Sequence, residues 1–364
     1  MSSTMTTSPS PLKGGATKMN SLTAGQLPKY TGLSTLVVSV AVAAGLLALL
    51  QSANVASVVI VGALLFLAAM FVLSAAVEGP RKAKDRLAKY IVTGFFLVAL
   101  VPLISVIWGT IVNGLDRFDG TFFSWSMRNV LGEGGGAIHA IWGTLIVTGI
   151  ATLISVPIGL MTAIYLVEYA QNGKLGAGIR FFVDVMTGIP SIVAGLFAYT
   201  MFSMIFGAGH KSGLSGAVAL SILMIPTVVR STEEMLRIVP NELREASYAL
   251  GVPKWRTILK VVLPTSIAGI ITGVVLAIAR VIGETAPLLV TASITSSMNL
   301  DPSNHPMATL PVFVYNQYMY APGIDTAAYH ARAWAGALTL ILIVMGLNAI
   351  GRFIAWKFAP KAGR

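Results

Sequence analysis

The chain has 364 residues, of which 55% are apolar and only 11% charged, and its mean hydropathy is +0.79. An ordinary soluble domain carries roughly a quarter charged residues, so this composition excludes one and indicates an integral membrane protein. Cysteine is absent and histidine occurs four times, which excludes disulfide staples, thiolate nucleophiles and cysteine-bearing zinc sites. A net charge of +11 would suit a nucleic-acid binder, but in a membrane protein the placement of Lys and Arg among the loops has to be read first.

Residues 1–32 are rich in Ser, Thr, Gly and Pro without an apolar repeat, and read as a disordered tail. Apolar runs follow at 33–50, 55–77, 91–112, 139–166, 181–207, 217–238, 265–290 and 333–355, each near or above the ~20 residues that cross the hydrocarbon. The first run follows a polar leader and lacks a small-x-small cleavage site, so it reads as an uncleaved span. The expected fold class is all-α and polytopic. The basic stretch PRKAKDRLAK, within 78–90, reads as a cytoplasmic linker between two N-terminal spans (33–77) and a six-span remainder (91–356). Its Lys and Arg suit topology and lipid head groups, not nucleic acid. Residues 357–364 read as a short cytoplasmic tail.

With the N-terminus inside, 20 of the 25 Lys and Arg fall on cytoplasmic segments. Arg117, Arg128, Lys211 and Arg332 fall outside, and Arg280 lies within a span. That asymmetry places both termini in the cytoplasm, with the segment 240–264 on the same face.

That segment contains ELREASYALGVPKWRTILKVVLP, residues 242–264. Pro240 and Asn241 introduce a short helix, Leu243, Ala246, Ala249 and Leu250 give it an apolar stripe, and Gly251 stops it. A second helix can start at Pro253, where a missing N–H does no harm. Physically, the pair suits either an amphipathic hairpin on the membrane surface or a docking element for a soluble partner.

Arg280 and Glu284, in AIARVIGETAPLLVTA, stand one helical turn apart inside a span. A charge at the bilayer centre costs about 2.5–3.5 kcal/mol on insertion scales, so the pair is read as either a solute site or a structural salt bridge. Pro287 cannot donate to the carbonyl of Gly283, and the helix is expected to kink or break there. Broken backbone at membrane depth belongs beside a cavity, which favours a solute route. Arg230 is the second candidate, read equally as a route residue or as a basic residue at a span end. It lies roughly 21 Å below the start of its span and Arg280 roughly 24 Å above Pro264, at about 1.5 Å per residue. Different depths, hence successive steps, are expected. A guanidinium suits a tetrahedral oxyanion because it stays charged and presents parallel donors to two oxygens.

No Walker A pattern is present, since Lys211-Ser212 follows His210 instead of Gly; the chain is not expected to hydrolyse ATP. The Gly-rich loop LGEGGGAIHA, 131–140, reads as a flexible external loop, and Glu168 as an interface residue after a span.

The sequence Glu245-Ala246-Ser247, three residues, Gly251, nine residues, then Val261-Val262-Leu263-Pro264 resembles the EAA loop of ABC importer permeases, with Ser247 and Val261 as conservative departures. The resemblance extends through TGIPSIVAGLFAY (187–199), IPTVVRSTEEMLRIVPNELREASYALGVPKWRTI (225–258), AIARVIGETAPLLVTA (277–292), LPVFVYNQY (310–318) and RAWAGALTLIL (332–342) to the A-type permease subunit family (PstA) of bacterial phosphate importers. It implies a MetI-like core of six transmembrane helices in the bacterial cytoplasmic membrane, preceded here by two extra spans. It further implies pairing with a second homologous permease, two copies of an ABC ATPase that bind ATP and Mg, and an external phosphate-binding protein. Inorganic phosphate would pass Arg230 and Arg280, with Glu284 beside the latter. Glu245, Ala246, Ser247, Gly251, Leu263 and Pro264 would couple to the ATPase. No cofactor or metal is implied on this chain. A permease for sulfate or molybdate, or an ATP-independent anion transporter, is the alternative.

Overall fold

The computed structural model describes residues 26–51, 54–170, 173–323 and 325–358. The expected tails at 1–32 and 357–364 lie outside those residues, except for 26–32, which run into the first helix, and 357–358, which end the last. Two units are distinguished, Met1–Ser105 and Val106–Arg364, and every described element in them is helical or irregular.

In the first unit, α1 (Thr31–Leu49) packs beside α2 (Val55–Val77). A Cβ on Gly62 would sit 3.3 Å from the Cα of Val40, and Ser39, Ala43 and Ser74 are also buried. Hydrocarbon offers no hydrophobic drive between spans, so small residues that admit close backbones do this work. The third helix, α3 (Pro80–Leu115), begins inside the basic stretch. The linker expected at 78–90 is therefore mostly helical, because Pro80 fits a first helical turn and nothing after it breaks the helix. Before it, Glu78 accepts from the Leu27 N–H (2.9 Å), the Ser74 hydroxyl (2.9 Å) and Arg86 Nη2 (2.7 Å). The Leu27 N–H leads, with Ser74 and Arg86, in holding this carboxyl below its usual range against the opposing effect of burial.

The second unit continues with α4 (Gly120–Ser124) and α5 (Ile138–Ile164), which a π-helical turn extends to Tyr169. Then come α6 (Lys174–Thr187), α7 (Ser191–Phe206) and α8 (Gly213–Ile238). The run 181–207, expected as one span, is instead α6 and α7 bent by 106°. Gly188 and Pro190 sit at the bend, and a residue before proline is driven out of helical dihedrals. Among the described residues, seven other helices are long and apolar enough to cross a membrane.

Next are α9 (Asn241–Ala249) and α10 (Lys254–Thr257), the latter passing through a π-helical turn into α11 (Leu263–Val281). The chain ends with α12 (Ala286–Thr291), α13 (Leu310–Met319) and α14 (Thr326–Phe358). The run 265–290 breaks between Val281 and Ala286, as Pro287 and Gly283 predict.

Helix α8 is the central post. Leu220, Met224 and Val228 on it pack with Val147 and Ala151 of α5, Ala277 and Val281 of α11 and Leu288 of α12. Toward the C-terminal end of α8, Val229 and Leu236 pack with Ala163, Leu166, Val262 and Ile270. By contrast, Leu153 and Met345 are 75% and 61% exposed, as lipid-facing side chains should be. Helix α11 lies against α8 through two glycines. A Cβ on Gly269 would lie 2.2 Å from Met235 Sδ, and one on Gly273 would lie 2.6 Å from Ser231 Cβ. The rising number on one helix meets the falling number on the other, so the pair is antiparallel with Gly273 level with Ser231.

Candidate functional site: a charged groove above a two-helix projection

The α8–α11 register sets the depths of the two arginines. Seven residues beyond Gly273, Arg280 is level with about residue 224 of α8, so Arg230 lies roughly 9 Å nearer the α9 end at about 1.5 Å per residue. Different depths were expected, and the helix stagger makes the separation short. Level with Arg230 and on toward the α9 end, α8 and α11, with Ala355 of α14, border an open groove of about 510 Å³ lined by Ser231, Glu234, Thr272, Gly273 and Leu276; neither arginine lines it. Arg280 follows Leu276 by one turn on the same face of α11 and is exposed.

The expected ion pair between Arg280 and Glu284 is not made: no hydrogen bond or ion pair to Arg280 is found among the described residues. The helix ends at Val281 and Glu284 stands in the break, half-buried. The i,i+4 geometry that would have joined them requires a continuous helix.

Arg230 does have a partner, and sequence reasoning missed it. Its Nη2 meets the Asp184 carboxylate of α6, with both side chains about half exposed. Four residues earlier on α6, Arg180 donates from Nε to Glu233 of α8 at 3.0 Å and from Nη2 to the Leu166 carbonyl at 2.7 Å. Glu233 also accepts from Arg237 at 2.6 Å. These contacts form two rungs between antiparallel helices. The available signal was the i,i+4 spacing of Arg180 and Asp184, complementary to the charges of α8.

The two-helix projection forms as the sequence predicts. Asn241 starts α9, Gly251 ends it at φ +75°, and Pro253 caps α10. Its inner side is tied down. Ser247 and Thr257 share a 2.8 Å hydroxyl hydrogen bond, joining the two helices. Arg244 donates from Nε and Nη2 to Glu168 Oε1, and to the carbonyls of Val239 and Leu236 at 2.6 and 2.9 Å. Glu168, expected at an interface, is thus a buried ion-pair member, its side chain 3% exposed. Burial and the nearby Glu168 charge push the Tyr248 phenol up.

Its outer side is open. Glu245, Ala246, Ala249 and Gly251 are exposed, Leu250 is 84% exposed and Trp255 54%. Leu263 is half-buried and Pro264 exposed where the chain re-enters α11. The apolar stripe therefore does not pack within this chain.

The Gly-rich loop 131–140, expected to be flexible and external, is pinned by hydrogen bonds. The fully buried Arg332 donates to the Gly132 and Gly134 carbonyls at 2.7 and 3.0 Å and to Gln317 at 2.9 Å. Arg117 reaches the Gly135 carbonyl at 2.9 Å. Backbone carbonyls concentrated by small residues suit a guanidinium fork, which sequence spacing across 200 residues could not reveal.

Residues 155–363 match the family described as binding-protein-dependent transport system inner membrane component. The phosphate transport system permease protein PstA 1 of Mycobacterium tuberculosis H37Rv is 46% identical over 288 residues, 76% of this chain and 90% of the relative. PstA of Yersinia pestis is 40% identical over 77% of this chain and 92% of its own length. Among solved structures, the MetNI methionine ABC transporter in inward-facing conformations aligns with TM-score 0.51 at 20% identity, over 61% of this chain and 96% of the other. A bacterial alginate ABC transporter aligns with TM-score 0.52 at 15% identity, over 75% and 96%. These two likenesses concern the fold.

Proposed function

We propose that this chain, which belongs to the binding-protein-dependent transport system inner membrane component family, is the permease subunit of an ATP-driven importer of inorganic phosphate. It is a transporter component of the membrane, not an enzyme, and is similar to phosphate permeases along three quarters of its length. The observation that carries the proposal is the pairing of an open projection, tied down on its inner side, with two arginines at stepped levels near the α8–α11 groove.

The projection is the ATPase-coupling element. Glu245, Ala246, Ser247, Gly251, Leu263 and Pro264 shape it, and Leu250, Ala246 and Trp255 form an apolar surface that a soluble ATPase would cover. Two such ATPase copies would hold ATP and Mg; this chain supplies the contact surface. A second homologous permease closes the α8–α11 groove into a route, and an external phosphate-binding protein delivers the anion to its outer end. Both termini lie in the cytoplasm, as the Lys and Arg distribution supports.

Within the route, Arg280 receives phosphate first and Arg230 second. A lone cation in a partly apolar groove binds an oxyanion through charge-assisted hydrogen bonds. Glu284, freed from Arg280 by the helix break, adds a negative charge that favours release. Closure of the ATPases biases the permease pair between outward and inward states, because ATP binds the closed arrangement better.

The test is uptake of radiolabelled phosphate into vesicles containing the assembled transporter, with ATP inside and binding protein outside. ATP-dependent uptake that Arg280→Gln abolishes is the expected result. Uptake of sulfate in place of phosphate, or uptake without ATP, would replace the proposal with another permease or with a secondary transporter.

A further inference from the structure

The two rungs between α6 and α8 are unequal. The inner rung is built from several contacts: Glu233 is 5% exposed, it accepts from both Arg180 and Arg237, and Arg180 also bonds the Leu166 carbonyl. The outer rung has one contact. Asp184 and Arg230 meet with side chains 52% and 42% exposed, and no other hydrogen bond to either of these two side chains is found among the described residues. Half-exposed pairs of this kind are weak, whereas a buried, multiply bonded pair is costly to break.

The carboxylate on Arg230 stands where an oxyanion would stand. Both ligands are anionic, both offer oxygen lone pairs, and both require the same guanidinium N–H donors. Arg230 cannot give these donors to Asp184 and to an incoming anion at once. Arg280, about two turns further out, carries no such partner. The route therefore has an open outer arginine and a capped inner one.

We propose that Asp184 is a displaceable counter-anion that competes with phosphate for Arg230, so that an arriving anion opens the outer rung while the Arg180–Glu233 rung keeps α6 in place. Return of Asp184 then keeps Arg230 from remaining an unpaired charge and ejects the anion inward. Asp184 acts here as a positioning residue on Arg230, and the proposal rests on the reading of Arg230 as a route residue. A carboxylate that held α6 purely for stability would sit on the buried rung, not on the exposed one.

The experiment measures equilibrium binding of radiolabelled inorganic phosphate to the assembled, detergent-solubilised transporter, without ATP or binding protein. Asp184→Asn should tighten binding about fivefold, the factor matching an exposed ion pair, and Asp184→Glu should keep the parent value. In an Arg230→Gln background the same substitution should change nothing, and ATP-driven uptake by Asp184→Asn should slow as release becomes limiting. Binding by Asp184→Asn that is unchanged or weaker, or a gain that persists without Arg230, overturns the proposal. If Arg230→Gln impairs uptake while Asp184→Asn leaves affinity unchanged, only the competition is wrong and the route stands. If Arg230→Gln leaves both binding and uptake unchanged, the route reading itself falls. Asp184→Ser is the second variant; failure of both neutral variants to assemble with their partners would assign Asp184 to tethering α6 and overturn the proposal.

Discussion

Arg244 sends two guanidinium N–H groups to one oxygen of Glu168, at 3.1 and 2.9 Å, with both side chains largely buried. The contact joins the projection directly to the end of α5, which packs along α8 beside Arg230. With the Arg244 bond to the Leu236 carbonyl of α8, it links the coupling element to the helices of the proposed route. Removing one member of a buried pair leaves an uncompensated charge and costs about 3–5 kcal/mol. Glu168→Gln and Arg244→Gln should each lower the thermal midpoint of the solubilised chain by several degrees. The Arg244→Lys variant should recover only part, because an ammonium cannot reach the carboxylate and two carbonyls in one planar fork. Thermal unfolding followed by light scattering checks all three.

Gly251 has φ +75° and open space where a Cβ would project. Substitution by Ala therefore meets no neighbour, and its cost is the left-handed backbone alone, about 1 kcal/mol. The fold should survive, with α10 shifted relative to α9. Co-purification of the ATPase with Gly251→Ala should fall while the amount of membrane-inserted chain stays at the parent level.

Gly273 makes the opposite case. A Cβ there would stand 2.6 Å from Ser231, whereas one on Gly94 meets nothing within 4 Å. Gly273→Val must push α11 away from α8 and should destabilise by about 1–3 kcal/mol, the usual range for overpacking. The Gly94→Ala variant should be tolerated. Comparing their thermal midpoints separates a packing requirement from a general cost of adding side chains.

Arg332 holds the Gly-rich loop through two glycine carbonyls. In Arg332→Gln these carbonyls lose their donor, and the loop 131–136 should exchange its amide hydrogens faster, with protection in α5 and α8 unchanged. Hydrogen exchange with peptide-level readout tests this, and an unchanged loop would show that Arg117 alone suffices to hold it.

Much of this structure could be read along the chain. The spans follow from runs of apolar residues, the break at 282–285 from Gly283 and Pro287, and the projection from Pro240, Gly251 and Pro253. Each is a local rule about hydration, dihedrals or a missing N–H, and local rules need no knowledge of neighbours. The bend within 181–207 has a local cause too: apolar content gave length, while Gly188 and Pro190 decided that the length was bent.

Charge partners were another matter. Arg280 with Glu284 had the spacing of a pair and does not form one. Arg230 with Asp184, Arg244 with Glu168, and Arg332 with the glycine carbonyls form across 46, 76 and about 200 residues. Ion pairs are selected by proximity and burial, quantities that exist only after the helices have packed. Sequence alone determined that this chain carries membrane-spanning helices and that a two-helix projection interrupts them at 241–257. Tertiary packing decided that Arg230 is held by a carboxylate and that Arg280 stands open, because α6 packs antiparallel to α8 and brings Asp184 to Arg230, while the break after Val281 takes Glu284 off the helix that carries Arg280.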